Sequence, residues 1–442
     1  MNVVRRPVCS DRAAPPATAA ASAARWIGAV TPLDIGRAGL VLMLLATPLP
    51  SGALMNLGLL VALAGALWHV SRRGVGVLRR LPAAVWLVVA FTATTAISTL
   101  VAIDPWCGFA GPRDLLRGMA ARAEIPLWCG FRGLLDTARS TLVFVLAVTL
   151  LDSARLRRTW LVAIVAITCF VTLSGFHEFS LGPTHRTGDR FLRDAAIGHS
   201  NQTASYLVMA LPVSASALMF GAFGSGARGL AWTTLGLGTV ALVLTQSLTA
   251  WAAALVLAIL LGIRATARRG VLVVSTAAVL VVVVLIVAGP LWKKFTADWM
   301  AMSTGSRLSW WAGALRVIGD HPLFGVGPRN FILIDGAAYD FQTTFHAHNL
   351  YLNIASEHGL LGLALLVGAI AAVVWRLKET RPAIADALDR SCWWAAACAV
   401  LGFVLLGLAT TPYHSRHAIL LWAITAVFYA QFRDRPVRAH PA

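Results

Sequence analysis

The chain has 442 residues, of which 58% are hydrophobic and only 13% charged, with a mean hydropathy of +0.73. That balance is too apolar for a soluble globular protein and reads as a polytopic helical membrane protein. The net charge of +18 does not indicate nucleic acid, because the basic residues recur as short clusters between apolar runs, the pattern that marks cytoplasmic loops.

Apolar runs of about 18 to 22 residues recur along the chain, each long enough to cross a roughly 30 Å hydrocarbon layer. No short alternating strands suggest a barrel. Met1 to Arg25 is Ala- and Pro-rich without a compact apolar core, so it is expected to be a cytoplasmic tail rather than a cleaved signal peptide. The tail is taken as residues 1–35, the membrane domain as 36–432 and a second cytoplasmic tail as 433–442.

Within that domain the pattern predicts spans at about 36–52, 54–70 and 82–102, then a first outer loop over about 103–133. This loop holds Cys107 and Cys129, which in an oxidising compartment would close a ring of about 23 residues, contributing roughly 3 kcal/mol. The alternative is two unpaired thiols at the membrane boundary. Arg113, Arg117 and Arg122 suggest a basic amphipathic helix in the same loop. Spans follow at about 134–151 and 159–177, then a second outer loop over about 178–200 that carries Arg190 and Arg193.

Further spans are expected at about 202–222, 229–246, 248–263 and 270–290. The third outer loop, about 291–348, is the largest, with an amphipathic helix over about 307–319 ended by His321-Pro322. Spans at about 349–375, 391–410 and 417–432 complete the chain. The sequence therefore predicts an all-α protein of about twelve transmembrane helices, both termini cytoplasmic and the long loops outside.

The densest chemistry lies in Phe345-His346-Ala347-His348-Asn349, followed by Glu357 and His358 in an apolar run. Titratable groups are costly there and so are candidates for function. Histidine can take a proton from a hydroxyl near neutral pH and release it later, and Asn349 is placed to orient an imidazole or a hydroxyl. The plainer reading makes His346 and His348 polar anchors at the headgroup level. A metal would need further ligands, and neither cysteines nor clustered carboxylates lie nearby. The outer loops instead supply arginines, whose rigid forks suit phosphate. Arg193, Arg307, Arg190 and Arg329 are the candidate phosphate ligands, against the alternative that they border helices with their stems in the lipid. Arg416 is a supporting candidate, and Glu357 is expected to be a buried partner for an arginine.

His348-Asn349, nine intervening residues and Gly359-Leu360-Leu361-Gly362 resemble the His-Asn-x9-Gly-x-x-Gly pattern of the O-antigen ligases of Gram-negative bacteria. Ser306-Arg307-x-x-x-Trp311 and His321-Pro322-Leu323-Phe324-Gly325-Val326-Gly327-Pro328 are similar to segments shared by ligases and polymerases of that group. Arg193 with Gly198-His199-Ser200-Asn201 looks like its Arg…Gly-Asn-Pro-Asn stretch, which is degraded here. Ser247-Leu248 lacks the arginine that relatives often carry at that point.

The resemblance implies an inner-membrane glycosyltransferase with its active site facing the periplasm and no cofactor or metal. It would move an undecaprenyl-diphosphate-linked O-antigen donor onto a lipid A-core acceptor. It also implies that His348 activates the acceptor, with His346 and Asn349 beside it, while the arginines hold the diphosphate. The partners implied are those two substrates and membrane lipids, with no nucleic acid. An O-antigen polymerase or a pilin O-glycosyltransferase shares these parts. A lipid-linked glycan transporter is the alternative of another class.

Overall fold

The structure, a computed structural model, describes residues 31–49, 52–74, 76, 81–101, 126–180, 200–245, 247–264, 297–334, 339, 346–380, 386–411, 413 and 415–432. All regular secondary structure in these residues is helical.

In chain order the helices are α1 (Pro32–Ala46), α2 (Gly52–Arg73), α3 (Ala83–Leu100), α4 (Pro126–Leu150), α5 (Ala154–Ser180), α6 (Ser200–Phe220), α7 (Ser225–Leu244), α8 (Leu248–Arg264), α9 (Ala297–Asp320), α10 (Leu350–Thr380), α11 (Ala387–Gly407) and α12 (Ser415–Ala430). Among the described residues, eight helices are long and apolar enough to cross a membrane, with α8 and α12 as shorter apolar companions. The chain is a multi-pass, all-α membrane protein. The expected span at 270–290 lies outside the described residues.

Several boundaries move. α1 begins at Pro32, where Thr31 and Asp34 cap each other in a reciprocal box. α4 begins at Pro126, so residues 126–133, assigned from the sequence to the first outer loop, are helical. Cys129 is thereby buried on α4; Cys107 and the three arginines of the expected surface helix lie outside the described residues. α5 runs from Ala154 to Ser180, past both expected ends. Each extension has one cause: helical backbone continues beyond the apolar stretch by which a span is recognised, because peptide groups at the boundary still gain from pairing with each other.

α1 and α2 cross so closely that a Cβ on Gly39, Gly58 or Gly65 would strike the partner backbone, a small-residue contact suited to a membrane interior. α10 packs on α3, α11 on α6 and α12 on α4, around a core rich in aromatic side chains such as Trp160, Trp422, Phe144 and Phe403. At one end of the bundle Arg37 pairs with Asp152 at 2.7 Å, and buried Arg157 reaches buried Asp389 at 3.2 Å. At the other end α9 and the segment that follows it fold against the start of α10. The amphipathic helix expected there is longer than its apolar spacing suggested, and His321 and Pro322 follow its last residue as expected.

Candidate functional site

The site is built around a broken helix. α10 contains one residue with non-helical backbone, Gly359, at φ 72° and ψ 177°. The break releases carbonyls that an unbroken helix would use, and the segment after α9 takes them. Val326 N–H donates to the Ser356 carbonyl (2.9 Å) and Gly327 N–H to that of Glu357 (3.0 Å), while Leu360 N–H donates to Pro322 (2.7 Å). Ser98 of α3 reaches both the Phe324 and the Glu357 carbonyl oxygens, at 2.6 and 2.7 Å. The turn can approach so closely because Gly325, at φ 68°, has no side chain; a Cβ there would meet the backbone of Ser356 and Glu357.

The same docking forms Arg329. Its φ of 59° is unusual for a residue with a side chain. It is held by the buried Glu357 carboxylate, which takes hydrogen bonds from the Arg329 and Phe331 backbone amides and from Asn353. Glu357 therefore lies close to an arginine, as expected, but it grips that residue's backbone. The guanidinium acts on Glu357 electrostatically but makes its hydrogen bond elsewhere, with Nη2 2.5 Å from Oδ2 of Asp136 on α4, whose Oδ1 meets Arg139 Nη1 at 2.9 Å.

A separate small core closes the other side. Ala314 and Val317 of α9 pack with Val326, Phe331, Ile334 and Ala347, and Trp310 lies against them. The 310, 314, 317 spacing is one face of a helix. It lays α9 along the histidine segment, where the His348 ring stacks on Trp310 with centroids 4.8 Å apart and planes 22° from parallel. Arg307 sits one turn before Trp310 and acts electrostatically on His348.

His348 itself has φ 50°, and its backbone N–H donates to Nδ1 of His346 at 3.3 Å. The two rings meet edge to face at 4.2 Å. Burial, with smaller contributions from His346 and the Arg307 guanidinium, pushes the His348 imidazole down to about 3. Burial pushes His346 down to about 4. Both rings are thus neutral at neutral pH, and a neutral imidazole has a lone pair with which to accept a proton.

Asn349 has a positional role. Its Oδ1 accepts from the Tyr351 and Leu352 amides at 3.0 and 3.1 Å, capping α10, and its Nδ2 donates to the Leu408 carbonyl at 3.1 Å. It fixes the end of α10 against the end of α11. Arg416 donates to the Leu49 carbonyl at 3.2 Å and lies within electrostatic reach of Asp136. Arg190 and Arg193 lie outside the described residues.

A cavity of about 440 Å³ opens between α4, α6, α10, α12 and the 328–332 segment. Its walls carry Arg132, Arg329, Asp136, His346 and Glu357. The structure thus brings His346, His348 and Arg307 together, and Arg329 with Glu357, with His346 common to the cavity wall and the histidine pair. Sequence reading missed Arg132, Asp136, Arg139 and Trp310 as site residues. A charged pair three residues apart, Asp136 and Arg139, inside an otherwise apolar run was the available signal.

Residues 233–367 match the family described as O-antigen ligase. The match runs from within α7 through the docked segment, the histidine pair and the helix break; Ser98, Asp136, Arg139 and Arg416 lie outside it. No curated protein matches the chain.

Proposed function

We propose that this chain, whose residues 233–367 match the O-antigen ligase family, transfers a glycan from undecaprenyl diphosphate to the lipid A-core oligosaccharide at the periplasmic face of the inner membrane. The observation that carries this reading is His348: a neutral imidazole, stacked on Trp310, fixed by His346 and lying beside Arg307.

His348 takes the proton of the acceptor hydroxyl as its oxygen attacks the anomeric carbon. The bond to the phosphate oxygen breaks, and its electron pair leaves with the lipid diphosphate. Attack from the face opposite the leaving group inverts the anomeric centre. Arg307 and Arg329, with Arg190 and Arg193 of the second outer loop, hold the diphosphate and stabilise its growing charge, the part that a metal ion plays elsewhere. A bound diphosphate also places negative charge next to His348, offsetting the repulsion from Arg307 and strengthening it as a base when the donor is present.

The test is a lipopolysaccharide gel from a ligase-deficient strain carrying the wild-type chain or His348→Ala, with lipid-linked polymer assayed in parallel. Restoration of the capped ladder by wild type, and long lipid-linked glycan accumulating with the variant, is expected. A ladder still absent with wild type, or lipid-linked polymer that is itself short, would move the assignment to a polymerase or a transporter.

A further inference from the structure

Asp136 lies among three guanidinium groups. Its two oxygens take Arg139 (2.9 Å) and Arg329 (2.5 Å), and Arg416 lies within its electrostatic reach. The two pairs are not equivalent. Arg139 stands behind the carboxylate, its Nε bonded to Asn56 of α2 at 3.0 Å. Arg329 faces the cavity, with its side chain 40% exposed against 16% for Asp136. The partner that a soluble or lipid-borne anion meets first is therefore Arg329, and a carboxylate and a phosphate use the same face of a guanidinium fork.

We propose that Asp136 is a built-in competitor anion for Arg329, a positioning residue that neutralises the guanidinium in the empty site, yields it to the donor's diphosphate and reclaims it to release the diphosphate product. Arg139 makes the exchange possible by holding Asp136 once Arg329 has turned to phosphate. This inference rests on the reading of Arg329 as a diphosphate ligand.

Substituting Asp136 and substituting Arg139 should have opposite effects. Inorganic pyrophosphate binding to the purified full chain in lipid nanodiscs is measured by titration calorimetry. Removing the competitor with Asp136→Asn should tighten binding about two- to fivefold, the scale of one partly exposed ion pair. Arg139→Gln leaves Asp136 wholly on Arg329 and should weaken binding by a similar factor. Arg329→Gln should weaken it as well, and in that background the gain from Asp136→Asn should vanish.

If Asp136→Asn and Arg139→Gln both weaken binding while Arg329→Gln also does, Asp136 merely holds the fold and the inference is overturned, with the role of Arg329 intact. A gain from Asp136→Asn that persists without Arg329 would be a general charge effect and would overturn it too. Unchanged binding in Arg329→Gln would remove the diphosphate reading of Arg329 and the inference with it. Should Asp136→Asn fail to fold, Asp136→Ala carries the test, with the same gain expected and the same dependence on Arg329.

Discussion

Replacing Gly359 with alanine should damage both stability and transfer. At φ 72° and ψ 177° the residue occupies a region that side chains avoid, a cost of about 1–3 kcal/mol. The added Cβ would overlap the Leu323 carbonyl and come within 2.5 Å of the Phe324 nitrogen, adding about 1–3 kcal/mol of overpacking. The combined penalty is about 2–6 kcal/mol. The chain can avoid it only by continuing the helix through position 359. That would undock the segment carrying Arg329 and give up the bonds from Val326, Gly327 and Leu360.

Thermal unfolding of the purified protein should show a clear loss, and transfer should fall with it, because either response disturbs Arg329 and Glu357. Gly368→Ala is the control on the same helix. Its Cβ would find ordinary contact at 3.7 Å with Leu87, and the change should be tolerated. A Gly359→Ala protein with wild-type unfolding and wild-type transfer would refute the account of the docked segment.

Three further outcomes follow from named contacts. With His348 at about 3 and His346 at about 4, both stay neutral in the free protein across the physiological range, so kcat/KM should show no inflection near pH 6.5; an acid limb centred there would contradict the burial of the pair. Their folded values lie below the unfolded value, so between about pH 6.5 and pH 3 the unfolded chain binds more protons, and unfolding experiments should show stability lost on acidification through that window and none gained above it. Asn349→Ala removes the cap on α10 and should cost about 1 kcal/mol in the same assay, while Asn349→Asp keeps the accepting oxygen and should retain most of it. Asp389→Asn leaves the guanidinium of buried Arg157 without its counter-charge and should cost about 3–5 kcal/mol at the end of the bundle remote from the histidines.

The helical class and the placement of α9 were legible because hydropathy and a 3.6-residue spacing act locally, and His321-Pro322 ends that helix as the sequence suggests. The histidine segment was legible for the same reason: titratable groups are conspicuous at the edge of an apolar run. The role of Asn349 was not, since an asparagine preceding a helix can cap it or face a substrate, and only the amides of Tyr351 and Leu352 decide. Glu357 was recognised as buried near an arginine, but its grip on the Arg329 backbone depends on a turn that docks only when α10 is broken. Asp136 and Trp310 were missed because their importance lies in contacts across long stretches of chain, to Arg329 and His348. No local pattern encodes those pairings.

The most direct measurement of the central claim is transfer by the purified full chain, with lipid-diphosphate-linked glycan as donor, lipid A-core as acceptor and chelator present, comparing wild type with His348→Ala. The account predicts transfer by wild type with inversion at the anomeric carbon, and none by a variant that unfolds at the wild-type temperature. Transfer by His348→Ala, or transfer by wild type that the chelator abolishes, would contradict it.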